Sequence, residues 1–300
     1  MPSTPAHTAP FRPLQRERDA RDAAMPERMG DRLRLWGQGV KERIKQPFYL
    51  AYRRRLRNKL RDWTLPHHIG IIMDGNRRFA RAAGRSNVCY GHGRGAEKLH
   101  EVLDWCYDAD IRVVTVWCLS LDNFQRSTDE LASLLALFED KTREMAEGET
   151  VHRHRVRVRY IGERQRLPDS LQREMARLER ETAHYDSFVL NIAMAYGGRE
   201  EIAEACRRYI GDRASAGWTP EQIATALDAD ALGGFLYTAD QPEPDLILRT
   251  SGEVRLSGFL LWQSAHAEFY FCDAHWPAFR EIDFLRALRS YDLRQRRFGR

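Results

Sequence analysis

The chain has 300 residues, of which 43% are hydrophobic and 30% charged, and its mean hydropathy is -0.60. These values are typical of a globular protein with one large core. No run approaches the roughly 18 consecutive apolar residues of a membrane-spanning helix, and the N-terminus lacks the apolar stretch of a signal peptide, which argues against an integral membrane or secreted protein. The five cysteines are widely spaced, so the sequence indicates neither a disulfide framework nor a structural zinc site. We therefore expect a cytoplasmic protein.

The first 64 residues differ in composition from the remainder. Residues 1–40 are rich in Pro, Ala and Arg, which predicts disorder. Nine basic and two acidic residues between positions 41 and 62 give a local charge of +7 against +5 for the whole chain, so the other residues sum to −2. We interpret residues 41–64 as a basic amphipathic helix, because apolar side chains recur there at helical spacing: Phe48, Tyr49, Tyr52, Leu56 and Leu60.

Three roles are open for this helix. It could dock on its own domain, contact an anionic membrane surface peripherally, or bind nucleic acid. The last role is disfavoured because no nucleic-acid-binding module is recognisable, so we expect no nucleic-acid partner.

From position 65 onward, apolar β-rich runs alternate with amphipathic helical stretches. This alternation predicts one α/β domain over residues 65–300, with a largely parallel sheet of about six strands flanked by helices. The predicted strands cover residues 68–73, 112–119, 155–161, 188–193, 246–248 and 268–271. The predicted helices cover residues 96–107, 129–146, 169–183, 199–210, 220–227 and 282–297.

Polar and basic residues follow several of these strands. Ligands of open parallel sheets bind beyond the carboxyl ends of the strands, so these residues are the candidates for function. The four segments are residues 74–79 (DGNRRF), 120–126 (SLDNFQR), 196–199 (YGGR) and 249–257 (RTSGEVRLS). Guanidinium groups bind diphosphates at two points, and glycine lets backbone N–H groups approach phosphate oxygens. The sequence predicts a phosphorylated substrate, and the clusters at Arg78 and at Arg249 with Arg255 could hold two diphosphates.

Two carboxylates are candidate ligands for Mg²⁺, which in proteins often takes one or two carboxylates plus substrate oxygens. Asp74 follows the first predicted strand, and Glu268 lies within an apolar run. A carboxylate in such a run requires a partner, either a metal ion or an arginine that braces the sheet.

The motifs taken together resemble those of the cis-prenyltransferases, the family of undecaprenyl diphosphate synthase. The resemblance covers about residues 65–300 and rests on residues 68–78 (HIGIIMDGNRR), 120–126, 191–199 and 249–268. Finer details, such as residues 256–259 (LSGF) and the preceding basic helix, look most like actinobacterial short-chain Z-isoprenyl diphosphate synthases.

The resemblance implies an Mg²⁺-dependent homodimer that condenses isopentenyl diphosphate with an allylic diphosphate, geranyl or farnesyl, and adds cis isoprene units along a hydrophobic tunnel between sheet and helices. It places the allylic diphosphate on Gly75, Asn76, Arg77 and Arg78 with His92 nearby, and isopentenyl diphosphate on Arg249, Arg255 and Ser257. It places Mg²⁺ on Asp74 with Glu268, and residues 296–299 at the partner's isopentenyl site. The remaining implied substrate contacts are Phe79, Arg85, Ser120, Leu121, Asp122, Phe124, Arg126 and Leu256.

Asn123 matches the residue usually cast as the proton acceptor of this family. A neutral amide is a poor base, so we expect Asn123 to position the substrate while a diphosphate oxygen or water takes the proton.

The chain departs from the family pattern at several positions. Phe79 and Phe124 stand where long-chain members commonly have Trp, and Val254 stands where a metal-binding His is common. An expected arginine is missing near residues 86–87, where Arg85 or Arg94 could substitute.

The sequence motifs leave the chain length of the product open. Cys118 is of intermediate size at a position that is small in long-chain members, and a short or medium product is favoured. The alternatives are a long-chain polyprenyl diphosphate synthase for a cell-wall lipid carrier and a synthase of the same fold that makes irregular products.

Overall fold

A computed structural model describes residues 49–85 and 88–295 of the chain, and it divides the protein into two units, Met1–Arg54 and Arg55–Arg300. The predicted disorder over residues 1–40, the start of the predicted basic helix and residues 296–299 fall outside this part of the chain. Helix α1 covers residues 49–59. Within the second unit Leu56 is buried and Arg57 pairs with Glu281, which favours docking of this end of α1 on its own domain.

Six parallel strands form one sheet in the order β3-β4-β2-β1-β5-β6. Their bounds are β1 His68–Ile72, β2 Val113–Trp117, β3 Val156–Ile161, β4 Phe188–Ala193, β5 Leu246–Arg249 and β6 Glu268–Phe271. The predicted α/β architecture with about six parallel strands is confirmed. The boundaries differ by one or two residues at strand ends, where local periodicity carries the least information.

Helices cover both faces of the sheet. They are α2 Asn76–Ala82, α3 Cys89–Asp108, α4 Thr128–Glu147, α5 Glu149–Arg153, α6 Asp169–Thr182, α7 Gly198–Ser215, α8 Pro220–Ala226, α9 Ala229–Gly233 and α10 Glu281–Gln295. The short helices α2, α5 and α9 have no counterpart among the predicted helices, because five to seven residues are too few to show a clear helical period. Within the described residues, no helix is long and apolar enough to cross a membrane.

The core has two layers because successive residues of β1 point to opposite faces of the sheet. Ile69 and Ile71 pack in a large cluster with side chains of α3, α4, α6 and α10, whereas Ile72 packs in a second cluster with Ile247 and Phe259. Every residue of β1 is buried. A strand buried on both faces is typical of parallel sheets covered by helices.

The strand register brings the predicted site segments to one edge of the sheet. Ile72 lies opposite both Trp117 and Arg249, and Trp117 lies opposite Ala193. The segments that follow β1, β2, β4 and β5 therefore meet at the carboxyl edge.

Candidate active site

Asp74 lies at the centre of this edge, two residues after β1. Its Oδ2 accepts a hydrogen bond from Arg249 Nη2 at 2.8 Å, and its Oδ1 accepts one from Arg78 Nη2 at 3.2 Å. Burial on its own would raise the pKa of the Asp74 carboxyl, but the hydrogen bonds and charges of Arg249 and then Arg78 outweigh it and hold that pKa below its ordinary value. Asp74 is therefore a carboxylate at neutral pH.

Gly75 turns the chain from β1 into α2. Its φ of 106° lies in the left-handed region, and a Cβ there would stand 2.8 Å from Ser251 Oγ and 3.0 Å from the Cα of His275. The backbone oxygen of Asp74 is held as well, since it accepts a hydrogen bond from Thr250 Oγ1 at 2.7 Å and one from Trp276 N–H at 3.0 Å. Glycine is thus required for the turn that presents Asp74 to the edge.

Arg249 is the last residue of β5 and is only 4% exposed. Besides its ion pair with Asp74, its Nη1 donates to Ser257 Oγ at 2.9 Å and to the backbone oxygen of Arg255. Its Nε has no hydrogen-bond partner among the described residues. A buried guanidinium held on several sides is a preorganised anion-binding group.

Glu253 links two further arginines to this group. Its Oε1 accepts a hydrogen bond from Arg78 Nη1 at 2.9 Å, and its Oε2 accepts one from Arg255 Nη1 at 2.5 Å. Neighbouring Val254 is 75% exposed and contributes no ligand. We call Asp74, Arg78, Arg249, Glu253 and Arg255 the central cluster.

A second group of charges is centred on Glu130, in the first turn of α4. Its Oε1 accepts a hydrogen bond from Arg126 Nη1 at 3.1 Å and lies 3.5 Å from Arg77 Nε and 3.7 Å from His92 Nε2. Burial lowers the pKa of His92, and the positive charge of Arg126 lowers it further against the opposing effect of Glu130. We call Arg77, His92, Arg126 and Glu130 the lateral cluster.

Two predicted residues after β2 organise their own loop. The Oδ1 of Asn123 accepts a hydrogen bond from the backbone N–H of Ser120 at 3.2 Å, which closes the short 3-10 helix Leu121–Gln125. Leu121 and Phe124 pack against the larger core cluster, while Asp122 is exposed. The Oδ1 of Asn123 is thus engaged by its own loop.

Three other predicted residues lie in different settings. Phe79 stacks on Tyr90 with ring centroids 6.3 Å apart, and the Arg85 guanidinium lies 5.3 Å from the Tyr90 centroid. Leu256 packs against the smaller core cluster. Among the described residues, the arginines that pair with the Asp74 carboxylate are Arg78 and Arg249, not Arg85.

Comparison with known proteins agrees with this arrangement. The prenyltransferase family model described as "Putative undecaprenyl diphosphate synthase" matches residues 72–299, which is most of the chain. The chain belongs to the cis-prenyltransferase family. The resemblance inferred from the motifs is confirmed.

Individual relatives of this cis-prenyltransferase carry related names. An isoprenyl transferase from Thermus thermophilus is 49% identical over 86% of this chain and 97% of its own length. A (2Z,6E)-farnesyl diphosphate synthase from Thermobifida fusca is 49% identical over 85% of this chain and 98% of its own length. The crystal structure of lavandulyl diphosphate synthase from Lavandula x intermedia in complex with dimethylallyl diphosphate superposes with a TM-score of 0.71, at 34% identity, covering 76% of this chain and 95% of that one.

An apolar cavity of about 100 Å³ opens beside the two clusters of this cis-prenyltransferase. It starts at Asn76 and His92 and lies between the sheet and helices α3 and α4, with Cys118 in its wall. A second cavity of about 430 Å³ lies beyond it, and both are lined by His100, Leu103 and Met145. These three side chains therefore lie between the two cavities.

Glu268 is the site residue that the structure places elsewhere. It lies opposite Leu246 at the start of β6, at the amino edge of the sheet, whereas Asp74 follows the carboxyl end of β1. Its Oε2 accepts a hydrogen bond from Arg294 Nη1 at 2.6 Å. Within one chain, Glu268 therefore forms the alternative Glu–Arg pair at the edge opposite Asp74, and a shared Mg²⁺ ion on Asp74 and Glu268 stays a prediction. The register of β6 against β5, a long-range property, decides this.

Glu130 and Glu253 are the charged residues of the site that sequence reasoning missed. The only local signal for Glu130 is its spacing of four residues from Arg126. Glu253 stands two residues before Arg255 within the recognised motif, but its link to Arg78 spans 175 positions. Such a link depends on the tertiary structure.

Proposed function

We propose that this cis-prenyltransferase condenses isopentenyl diphosphate with an allylic diphosphate, geranyl or farnesyl, and forms a new cis double bond with each addition. The observation that carries the proposal is the pairing of two arginine-rich clusters with an apolar cavity that begins beside them. Two diphosphate groups and a growing hydrocarbon chain require this combination. We assign the activity to the domain over residues 65–300.

The allylic diphosphate is proposed to bind over Gly75, Asn76, Arg77 and Arg78, with His92 nearby. Asn76 and His92 also line the apolar cavity, so a diphosphate held here directs its hydrocarbon tail into it. Phe79 and Phe124 supply further apolar surface.

Isopentenyl diphosphate is proposed to bind at Arg249, Arg255 and Ser257. Arg249 already holds Ser257 and the backbone of Arg255 in place, so the three groups need little rearrangement on binding. The presence of this complete set favours regular chain elongation over irregular condensation.

The reaction requires three changes in bonding. The C1–O bond of the allylic substrate breaks and releases its diphosphate, C4 of isopentenyl diphosphate bonds to C1, and a proton leaves C2. The arginines stabilise negative charge on the departing diphosphate, a contribution of about several kcal/mol in comparable sites. Asn123 holds the loop after β2, and a diphosphate oxygen or water accepts the proton.

The residues present fit Mg²⁺ as a one-carboxylate site. Asp74 is ionised beside the proposed diphosphate positions, whereas the described residues contain no cluster of three or more His, Cys, Asp or Glu side chains. Mg²⁺ tolerates such a site because substrate phosphates and water complete its octahedron. Bound there, it would neutralise charge on the leaving diphosphate.

The small volume of the first cavity supports a short or medium product. The cavity next to the clusters has only about 100 Å³, and Leu103 and Met145 separate it from the larger one. The relative named as a (2Z,6E)-farnesyl diphosphate synthase agrees with a short product, whereas the family description refers to an undecaprenyl one. A continuous tunnel through both cavities would suit the longer product.

A homodimer is also proposed. The sheet ends at β6, whose outer edge pairs with no strand in the described residues, and two apolar side chains of the preceding segment, Val254 and Leu261, are 75% and 36% exposed. Exposed apolar surface beside an open sheet edge is typical of an interface.

Purified protein incubated with labelled isopentenyl diphosphate, Mg²⁺ and dimethylallyl, geranyl or farnesyl diphosphate in separate reactions tests the proposal. Chain-length and double-bond analysis should show extension with new cis bonds. Branched products would favour irregular condensation, and failure of every primer would reject the proposed reaction.

A further inference from the structure

Glu130 has no part in the reaction outlined above, although it is the centre of the lateral cluster. Its side chain is 10% exposed, and a single oxygen, Oε1, faces the guanidiniums of Arg77 and Arg126 and the imidazole of His92. An anion at the N-terminal turn of α4 is also stabilised by the helix dipole.

The contacts of Glu130 are uneven. Only Arg126 makes a hydrogen bond with it, whereas Arg77 Nε stands 3.5 Å away and His92 Nε2 stands 3.7 Å away and has no hydrogen-bond partner among the described residues. Arg77 is also 45% exposed on its side chain, so it can turn toward another anion. The cluster thus keeps donor capacity that one carboxylate does not use.

A diphosphate offers more negative charge and more acceptor oxygens than one carboxylate. Two guanidiniums beside a largely buried histidine would repel each other if no anion lay between them. Glu130 supplies that anion in the structure described here.

We propose that Glu130 is a resident counter-ion that holds Arg77 and Arg126 ready for the allylic diphosphate and competes with it for them. This inference rests on the proposed function, because it takes the lateral cluster as part of the diphosphate site. Glu130 acts through the arginines and is a positioning residue. The competition from Glu130 lowers the affinity of the site both for the allylic substrate and for the released pyrophosphate. It therefore favours the release of pyrophosphate.

Inorganic pyrophosphate is the probe, titrated calorimetrically into the full-length protein with Mg²⁺. Glu130→Gln removes the competing charge and keeps the shape, so pyrophosphate should bind about tenfold more tightly, and KM for the allylic substrate should fall together with kcat. Glu130→Asp, whose carboxylate is one methylene shorter, should lie between wild type and Glu130→Gln. Glu139→Gln is the matched control. Glu139 lies on the same helix but belongs to neither cluster, and its Oε1 stands 3.1 Å from Arg143 Nη2.

Unchanged or weaker pyrophosphate binding in Glu130→Gln would overturn the inference. If Glu130 were merely structural, its substitution would raise KM and lower Tm. If Glu130→Gln does not fold, pyrophosphate binding by Glu130→Asp is compared with binding by the wild type. Tighter binding supports the inference, and unchanged or weaker binding overturns it. Arg77→Gln and Arg126→Gln separate the two proposals. If neither weakens pyrophosphate binding, the diphosphate is wrongly placed; if they do and Glu130→Gln does not tighten it, only the role of Glu130 fails.

Discussion

At the scale of single residues, the site depends on charges that neutralise one another. Asp74 holds the guanidiniums of Arg78 and Arg249, and Glu253 holds Arg78 and Arg255. The position of Asp74 after a buried strand was enough to predict a functional role for this residue. The arginine partners of Asp74 could not all be predicted, because Arg249 stands 175 positions away in the sequence. Only the pairing of β1 with β5 brings Arg249 near Asp74.

Asp74→Asn tests this residue with little change in shape. The amide keeps an oxygen for one arginine but loses the charge that balances Arg249 and that would hold Mg²⁺, so kcat/KM should fall by about 100-fold or more. Steady-state kinetics and thermal denaturation measure the two effects. Asp186→Asn, at an exposed carboxylate that also pairs with an arginine, should leave both values near wild type; an equally active Asp74→Asn would contradict the assignment.

At the scale of elements, the turn between β1 and α2 connects fold and site. Gly75 adopts a φ of 106°, which an L-residue with a side chain adopts only with strain. The Gly at this position was recognised as part of a motif, but its neighbours Ser251 and His275 became evident only from the packing of distant loops.

Gly75→Ala should lower the free energy of unfolding by about 1–3 kcal/mol, because it adds both backbone strain and a contact with Ser251 Oγ. Urea denaturation measures the change. Gly211→Ala is the comparison, since Gly211 lies within α7 with open space around it; it should stabilise the protein by about 0.5–1 kcal/mol. Equal stability of Gly75→Ala and wild type would contradict the packing described for the turn.

Helices α3 and α4 carry Leu103 and Met145, the two apolar side chains that line both cavities. The variant Leu103→Ala/Met145→Ala should join the cavities and lengthen the main product by at least one isoprene unit, because added volume admits a longer chain. Chromatographic chain-length analysis gives the distribution. The exposed Leu227 provides the control Leu227→Ala, and an unaltered distribution in the double variant would show that the chain does not pass between these residues.

At the scale of the whole molecule, a series of buried hydrogen bonds between polar side chains crosses the sheet. His68 Nδ1 donates to the oxygen of Pro242 at 2.7 Å, and its Nε2 accepts from Thr115 Oγ1 at 2.8 Å, an arrangement that requires the neutral imidazole. Thr115 in turn accepts from Asn191 Nδ2 at 3.0 Å. Burial lowers the pKa of His68 to about 4.

Because the folded-state pKa of His68 lies below the unfolded value of 6.5, the unfolded chain binds the proton more readily. The free energy of unfolding should be highest above about pH 6.5 and fall by about 3 kcal/mol as the pH decreases to 4. Urea denaturation between pH 7 and pH 4 measures this slope. His68→Gln should flatten it and the exposed His67→Gln should not; identical slopes in His68→Gln and wild type would exclude His68 as the cause.

The sequence by itself determined the α/β class, a largely parallel sheet of about six strands and the edge at which the site lies. Hydrophobic periodicity is a local property, and parallel topology brings strand ends together whatever their partners are. Only the tertiary structure decided that Glu268 pairs with Arg294 at the other edge, that Glu130 and Glu253 join the arginines, and that Leu103 and Met145 line both cavities. These relations depend on strand register and helix packing between distant segments, which no local pattern specifies.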